Sequence, residues 1–118
     1  MTTMPNTTGY EFGNVVLVAF PFTNQHGSKQ RPAAVVSSQA YNQSKPDVIL
    51  MAITSQVKAK LAFAETPIEH WQTAGLLKFS IIKPIMFTME INLISKGLGH
   101  LSELDRERLR RVLTLIVG

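Results

Sequence analysis

From residue 14 to residue 91 the chain is written in short apolar runs, each stopped by a proline or a polar stretch, and the longest, residues 15–22, has only 8 residues. Such runs are far short of the ~20 residues that cross a bilayer, and no membrane partner is expected. They suit short β-strands at fairly even spacing, the pattern of a small barrel rather than of alternating strand and helix units. The fold expected is therefore mainly β. At 118 residues and 45% hydrophobic content the chain makes one domain with a sizeable core, over residues 11–118, behind a disordered tail at residues 1–10. The tail has neither the basic start nor the apolar stretch of a signal peptide, which points to a cytoplasmic protein.

Residues 14–20 read as a strand covered on both faces, ended by Pro21. Residues 23–30 contain no apolar member and form an exposed loop. A second strand covers residues 32–37, with proline at its first position, where the missing donor does least harm. After a polar loop at residues 39–46, residues 48–53 make a third, central strand that runs out at Thr54 and Ser55. Residues 61–66 read as a weaker strand, residues 68–73 as a helical turn capped by Gly75, and residues 79–82 and 85–91 as two strands broken at Pro84. Trp71 on that turn reads as a core plug. The last segment is the one clear helix: Ser102 and Asp105 imitate a capping box, and Leu109, Val112, Leu113 and Ile116 recur at helical spacing.

Function classes fall away quickly. With no cysteine there is no disulfide scaffold, thiolate metal site or cysteine nucleophile. His26, His70 and His100 are scattered at no ligand spacing, and no nucleotide loop or serine-hydrolase elbow is present. No metal or cofactor is therefore expected. What remains is a set of polar groups at strand ends: Lys29, Gln30 and Arg31 entering the second strand, Thr54 and Ser55 leaving the third. A guanidinium fork with hydroxyls matches a phosphodiester well, and the net charge of +4 is compatible with a polyanionic partner. Arg106, Arg108, Arg110 and Arg111 interleave with Glu103, Asp105 and Glu107, and read as a solvated helix face.

The order of these pieces carries a resemblance. Gly13-Asn14-Val15-Val16 through Pro21-Phe22-Thr23, then Gly27-Ser28-Lys29-Gln30-Arg31-Pro32-Ala33, resembles the opening of the PemK/MazF-like toxins of bacterial toxin–antitoxin systems. Downstream follow Ala52-Ile53-Thr54-Ser55, Gly75-Leu76, Ser80, Thr88 and Leu98-Gly99-His100-Leu101. The resemblance implies an SH3-like barrel with a C-terminal helix, a homodimer, and a metal-independent endoribonuclease that cuts single-stranded RNA at short sequences. It also implies a cognate antitoxin whose tail occupies the RNA site, and operator DNA bound only by the toxin–antitoxin complex. Arg31 matches the family's catalytic arginine and Thr54 its catalytic threonine, with Ser55 secondary. Lys29, Gln30, Lys58, Lys60 and Lys83 are the expected RNA contacts. Some members carry an acid in the segment that here reads Ile82-Lys83-Pro84-Ile85-Met86, so the general base is open, and His26, an imidazole in the first loop, is the candidate. Two other classes stand beside this reading: a gyrase-targeting toxin resembling CcdB, and a non-catalytic barrel that only binds RNA or a partner peptide.

Overall fold

A computed structural model describes residues 9–19 and 29–118. Six strands form one antiparallel sheet: β1 (Asn14–Ala19), β2 (Gln30–Val35), β3 (Asp47–Thr54), β4 (Thr66–Pro67), β5 (Ile81–Glu90) and β6 (Ile94–His100), in the order β4-β5-β3-β2-β1-β6. Two helices complete it, α1 (Gln39–Ser44) and α2 (Glu103–Val117). None of the described helices is long and apolar enough to cross a membrane.

The sheet is forced to curl by its shortest connection. Only the 3-10 turn Ile91–Leu93 joins β5 to β6. In a flat sheet those strands would lie four spacings apart, ~19 Å. The chain from Glu90 to Ile94 reaches at most ~14 Å, so the sheet must roll. It does not close, and "barrel" describes only its curl.

The roll explains why the central strands are apolar throughout. On one face Val15, Ala34, Met51 and Ile53 pack with Ile68, Ala74 and Leu76, and with Leu101, Leu109 and Val112 at and along α2. On the other, Val16, Val18, Ala33, Val35, Val48 and Leu50 pack with Met89 and with Ile91 and Ile94 from the crossing. Alternate residues of β1, β2 and β3 thus enter two different clusters, as a doubly covered strand requires. Trp71 packs, half-buried, against the first cluster.

Where the architecture departs from expectation, the causes are local. Residues 61–66 yield strand only at Thr66–Pro67, because Glu65 accepts from the Ala62 amide at 2.8 Å and its own amide donates to the Ala62 carbonyl, tying a turn in which Ala64 has φ 65°. Pro84 does not break the sheet: β5 runs through it, and the register shifts between Met51 and Ile53 on β3 to take up the extra length. Residues 39–44, expected as loop, form α1, with Ser38 Oγ accepting from the Tyr41 amide. Buried Asn42 anchors it, donating to the Tyr10 carbonyl at 2.9 Å and accepting from Ser37 Oγ. β6 was not expected as a strand at all. It is an edge strand with Gly97 and Gly99 in it, a place where apolar content is not demanded.

The segment at residues 69–75, a turn rather than a regular helix, is laid backbone to backbone on β6. Gly75 has φ +80°, and a Cβ there would overlap the Leu98 carbonyl; a Cβ on Gly99 would lie 2.7 Å from the Thr73 carbonyl oxygen. Only glycine permits either approach. Gly75→Ala should therefore lower unfolding stability by at least ~2 kcal/mol in urea titration, whereas Gly97→Ala, with open space around it, should change it by less than ~1 kcal/mol.

Candidate active site

The register brings the strand-end groups together. β2 and β3 pair at Ala33↔Ala52 and Ala34↔Met51; continuing that register by two residues sets Arg31 across from Thr54. Side chains two residues apart on a strand share a face, so Arg31 and Thr54 are cross-strand neighbours. Both line a cavity of about 560 Å³, with Gln30, Ser55 and Gln56 beside them.

Two further walls complete it. The loop that follows Gly75 contributes Leu76, Leu77, Lys78 and Ser80, and β6 contributes Lys96 and Leu98. The curl of the sheet is what brings β6 here, and Ser95 Oγ donates to Gln30 Oε1 at 2.5 Å across the junction. That bond occupies the Gln30 carbonyl and leaves its amide N–H groups as donors. Thr54 Oγ1 accepts from the Gln56 amide at 3.1 Å, and its hydroxyl hydrogen has no acceptor among the described residues. Leu77 stands 95% exposed at the cavity's lip, an apolar surface suited to the face of a base.

The charge of the lining is one-sided. Among the described residues that line it, the ionisable ones are Arg31, Lys78 and Lys96, all cationic, with no carboxylate or imidazole. Such a site can hold a phosphodiester by charge-assisted hydrogen bonds and can stabilise negative charge that builds on it. No group of three His, Asp or Glu placed to hold a metal occurs among the described residues.

Of the residues expected from sequence, Gln30, Arg31, Thr54 and Ser55 converge. Lys29, Lys58 and Lys60 are exposed and do not line the cavity. Lys83 also lies outside it, 3.9 Å from Glu65 Oε2. His26 lies outside the described residues. Lys78, Lys96, Gln56 and Ser80 escaped the sequence reading as cavity residues. Lys78 follows the Gly75-Leu76 pair closely, which was its one signal; Lys96 had none, since its strand was not legible.

The wall is held from behind by Asp105, which is only 2% exposed. Its carboxylate accepts from the backbone amides of Glu69 at 2.8 Å and His70 at 2.9 Å, pinning the segment that leads to Gly75. Ser102 Oγ caps α2 at the Asp105 amide, donates to Asp105 Oδ2, and lies 2.7 Å from His70 Nδ1. Serine, histidine and aspartate meet here as a helix cap, with the hydroxyl held between the other two rather than presented as a nucleophile.

The family model of the PemK-like, MazF-like toxins of type II toxin–antitoxin systems matches residues 11–117. This chain belongs to that family. The MazF-like fold recurs in solved structures at low identity. A mycobacterial endoribonuclease in complex with its cognate antitoxin superposes with a TM-score of 0.74 at 14% identity, covering 93% of this chain and 96% of that one. A MazF of Deinococcus radiodurans gives 0.70 at 20% identity, over 92% and 96%. A MazF toxin of Mycobacterium tuberculosis gives 0.69 at 16% identity, over 86% and 93%. No curated protein sequence matches the chain.

Asp105→Ala would leave two part-buried amides without their acceptor and empty the buried space its carboxylate fills. It should cost about 2 kcal/mol or more in chemical unfolding and increase hydrogen exchange at the Glu69 and His70 amides.

Proposed function

We propose that this MazF-like toxin is an endoribonuclease that cuts single-stranded RNA by attack of a ribose 2′-OH, leaving a 2′,3′-cyclic phosphate and a 5′-OH. The observation that carries this reading is that Arg31 and Thr54, opposite one another when the β2–β3 register is continued, line one cavity whose ionisable lining among the described residues is cationic. Because the nucleophile belongs to the substrate, the reaction needs neither a covalent enzyme intermediate nor a metal. The P–O2′ bond forms, the P–O5′ bond breaks, and negative charge rises on the non-bridging oxygens between.

The protein's work is to stabilise that charge and move two protons. Arg31, permanently charged, suits the first task and not proton abstraction. The hydroxyl hydrogen of Thr54 donates to a phosphate oxygen or orients the 2′-OH, with Ser55 beside it. Lys78 and Lys96 add charge, and a protonated amine is a competent acid for the departing 5′-oxygen. His26 is the candidate base. Lys29, Gln30, Lys58, Lys60 and Lys83 serve the flanking strand in this reading, Gln30 from within the cavity and the lysines from outside it.

The same cationic cavity, lipped by Leu77, fits an acidic and partly disordered antitoxin tail, which would block RNA by occupying its site. A homodimer in the cytoplasm, contacting operator DNA only as the toxin–antitoxin complex, completes the proposal. The strand-end placement of Arg31 and Thr54 favours it over a CcdB-like gyrase poison, which uses helix-end residues.

Purified protein incubated with single-stranded RNA in EDTA should produce ends bearing cyclic phosphate and 5′-OH. Arg31→Ala and Thr54→Ala should each lose at least ~100-fold in rate, the scale of one lost transition-state donor, with unfolding midpoints unchanged. His26→Ala should lose ~100-fold or more if it is the base, and a small effect returns it to the loop. Intact RNA across varied sequences would leave the non-catalytic binding reading standing.

A further inference from the structure

The arginines of α2 do not form one solvated stripe. Of the three acids expected to balance them, Glu103, Asp105 and Glu107, Asp105 is buried and spent on the Glu69 and His70 amides. Arg108 turns to Glu69, with 3.6 Å between its Nη1 and the carboxylate. Arg106 and Arg110, one turn apart on one side of the helix, line instead a second cavity of about 540 Å³ with Glu11, Phe12, Asn14, Ser38, Gln39 and His100.

The two guanidiniums are positioned rather than loose. The Arg106 stem lies over Gly13, where a Cβ would come within 2.5 Å of its Cδ, and Gly13 has φ +93°. Its Nη1 donates to the Leu101 carbonyl at 3.1 Å, which leaves most of its five N–H donors unspent, and no carboxylate pairs with it among the described residues. Arg110 stacks 4.7 Å over the Phe12 ring and keeps only a loose, exposed approach to Glu107, 3.8 Å. Glu11 supplies one negative charge against these two, and the His100 imidazole adds a hydrogen-bonding group at the rim.

This cavity is placed in relation to the first. Asn14 and His100 are cross-strand partners at one end of the β1–β6 ladder. Val18, the partner of Arg31, is four residues along β1, on the order of 13 Å. Both cavities are built around the same core cluster, through Phe12 at one and Leu76 and Leu98 at the other. Single-strand-binding folds of comparable size engage ~4–16 nucleotides, so a strand with one phosphate at Arg31 extends past this distance.

We infer that the Arg106–Arg110 cavity is a second phosphate-binding site, which holds a phosphodiester of the RNA flanking the cleaved one. The inference rests on the RNA reading of the first cavity and extends it from a cleavage point to a track. Its role is grip on longer RNA, not chemistry.

The test is fluorescence anisotropy with uncleavable 2′-O-methyl RNAs of about 12 nucleotides and of about 2, the latter with a single phosphodiester and too short to reach both cavities, across a salt series. Arg110→Gln, on an exposed side chain, and Arg106→Gln should each weaken binding of the longer RNA several-fold and reduce the slope of log K against log salt by about 0.7. Binding of the shorter RNA and the single-turnover cleavage rate of a short substrate should not change. If Arg106→Gln fails to fold, Arg110→Gln carries the test alone. A wild-type protein that binds and cleaves RNA, with Arg110→Gln indistinguishable from it on the longer RNA, overturns this inference and leaves the nuclease reading intact. A wild type that binds neither RNA overturns both. In a parallel arm, inorganic phosphate should shift the Arg110 and His100 side-chain resonances only at far higher concentration than the RNA; equal potency would show a site for free phosphate and overturn the RNA assignment.

Discussion

Everything in this molecule depends on how little chain joins β5 to β6. Three residues must carry it from the second strand of the sheet's order to its far edge, and only a rolled sheet allows that. The roll buries both faces of β1, β2 and β3. It also brings β6 against the start of β2, where Ser95 bonds to Gln30, and so turns a pair of strand ends into a walled cavity. Without β6 at that place Arg31 and Thr54 would lie on open surface, screened by water, and the cavity would lack Lys96.

The second constraint is the set of close backbone contacts that hold the other wall. Gly75 and Gly99 let the turn at residues 69–75 rest directly on β6, and Asp105 holds the start of that turn through two backbone amides. One buried carboxylate thereby serves two ends. It braces the wall of the first cavity, and by facing inward it adds no negative charge to the outer face of α2, where Arg110 has only its exposed approach to Glu107 and Arg106 has no carboxylate partner among the described residues. Arg31, Lys78 and Lys96 at the first cavity and Arg106 and Arg110 at the second gather five of the 12 basic residues into two places.

What was legible in the sequence follows from burial. β1, β2 and β3 announce themselves because both faces are covered, and α2 because its stripe and its Ser102 cap are local signals. β6 is not legible, since an edge strand with two glycines carries no apolar signature and exists through its partner. α1 hides for a similar reason: its anchor is Asn42, a polar residue satisfied across the chain by Tyr10. Pro84 misleads because a proline inside a long strand is tolerated only where the register shifts, and that shift belongs to the pairing with β3. For the site the same division holds. Arg31, Thr54 and Ser55 sit at the ends of legible strands, whereas Lys96 and Lys78 belong to the two walls that only the roll assembles. The reading of the α2 arginines as a balanced, solvated face holds for Arg110 with Glu107 but not for Asp105, because charge interleaving in sequence says nothing of which acid turns inward.

In the proposed reaction Arg31 and Thr54 bracket the phosphate that is cut. A crystal structure of the protein with an RNA carrying 2′-O-methyl groups, which blocks attack, tests it directly. One phosphate is expected within hydrogen-bond distance, ~3 Å, of both the Arg31 guanidinium and the Thr54 hydroxyl, with the blocked 2′-oxygen on the side opposite the 5′-oxygen. RNA bound with its phosphates away from this pair, or a phosphate held by Arg31 while Thr54 remains engaged elsewhere, would contradict it.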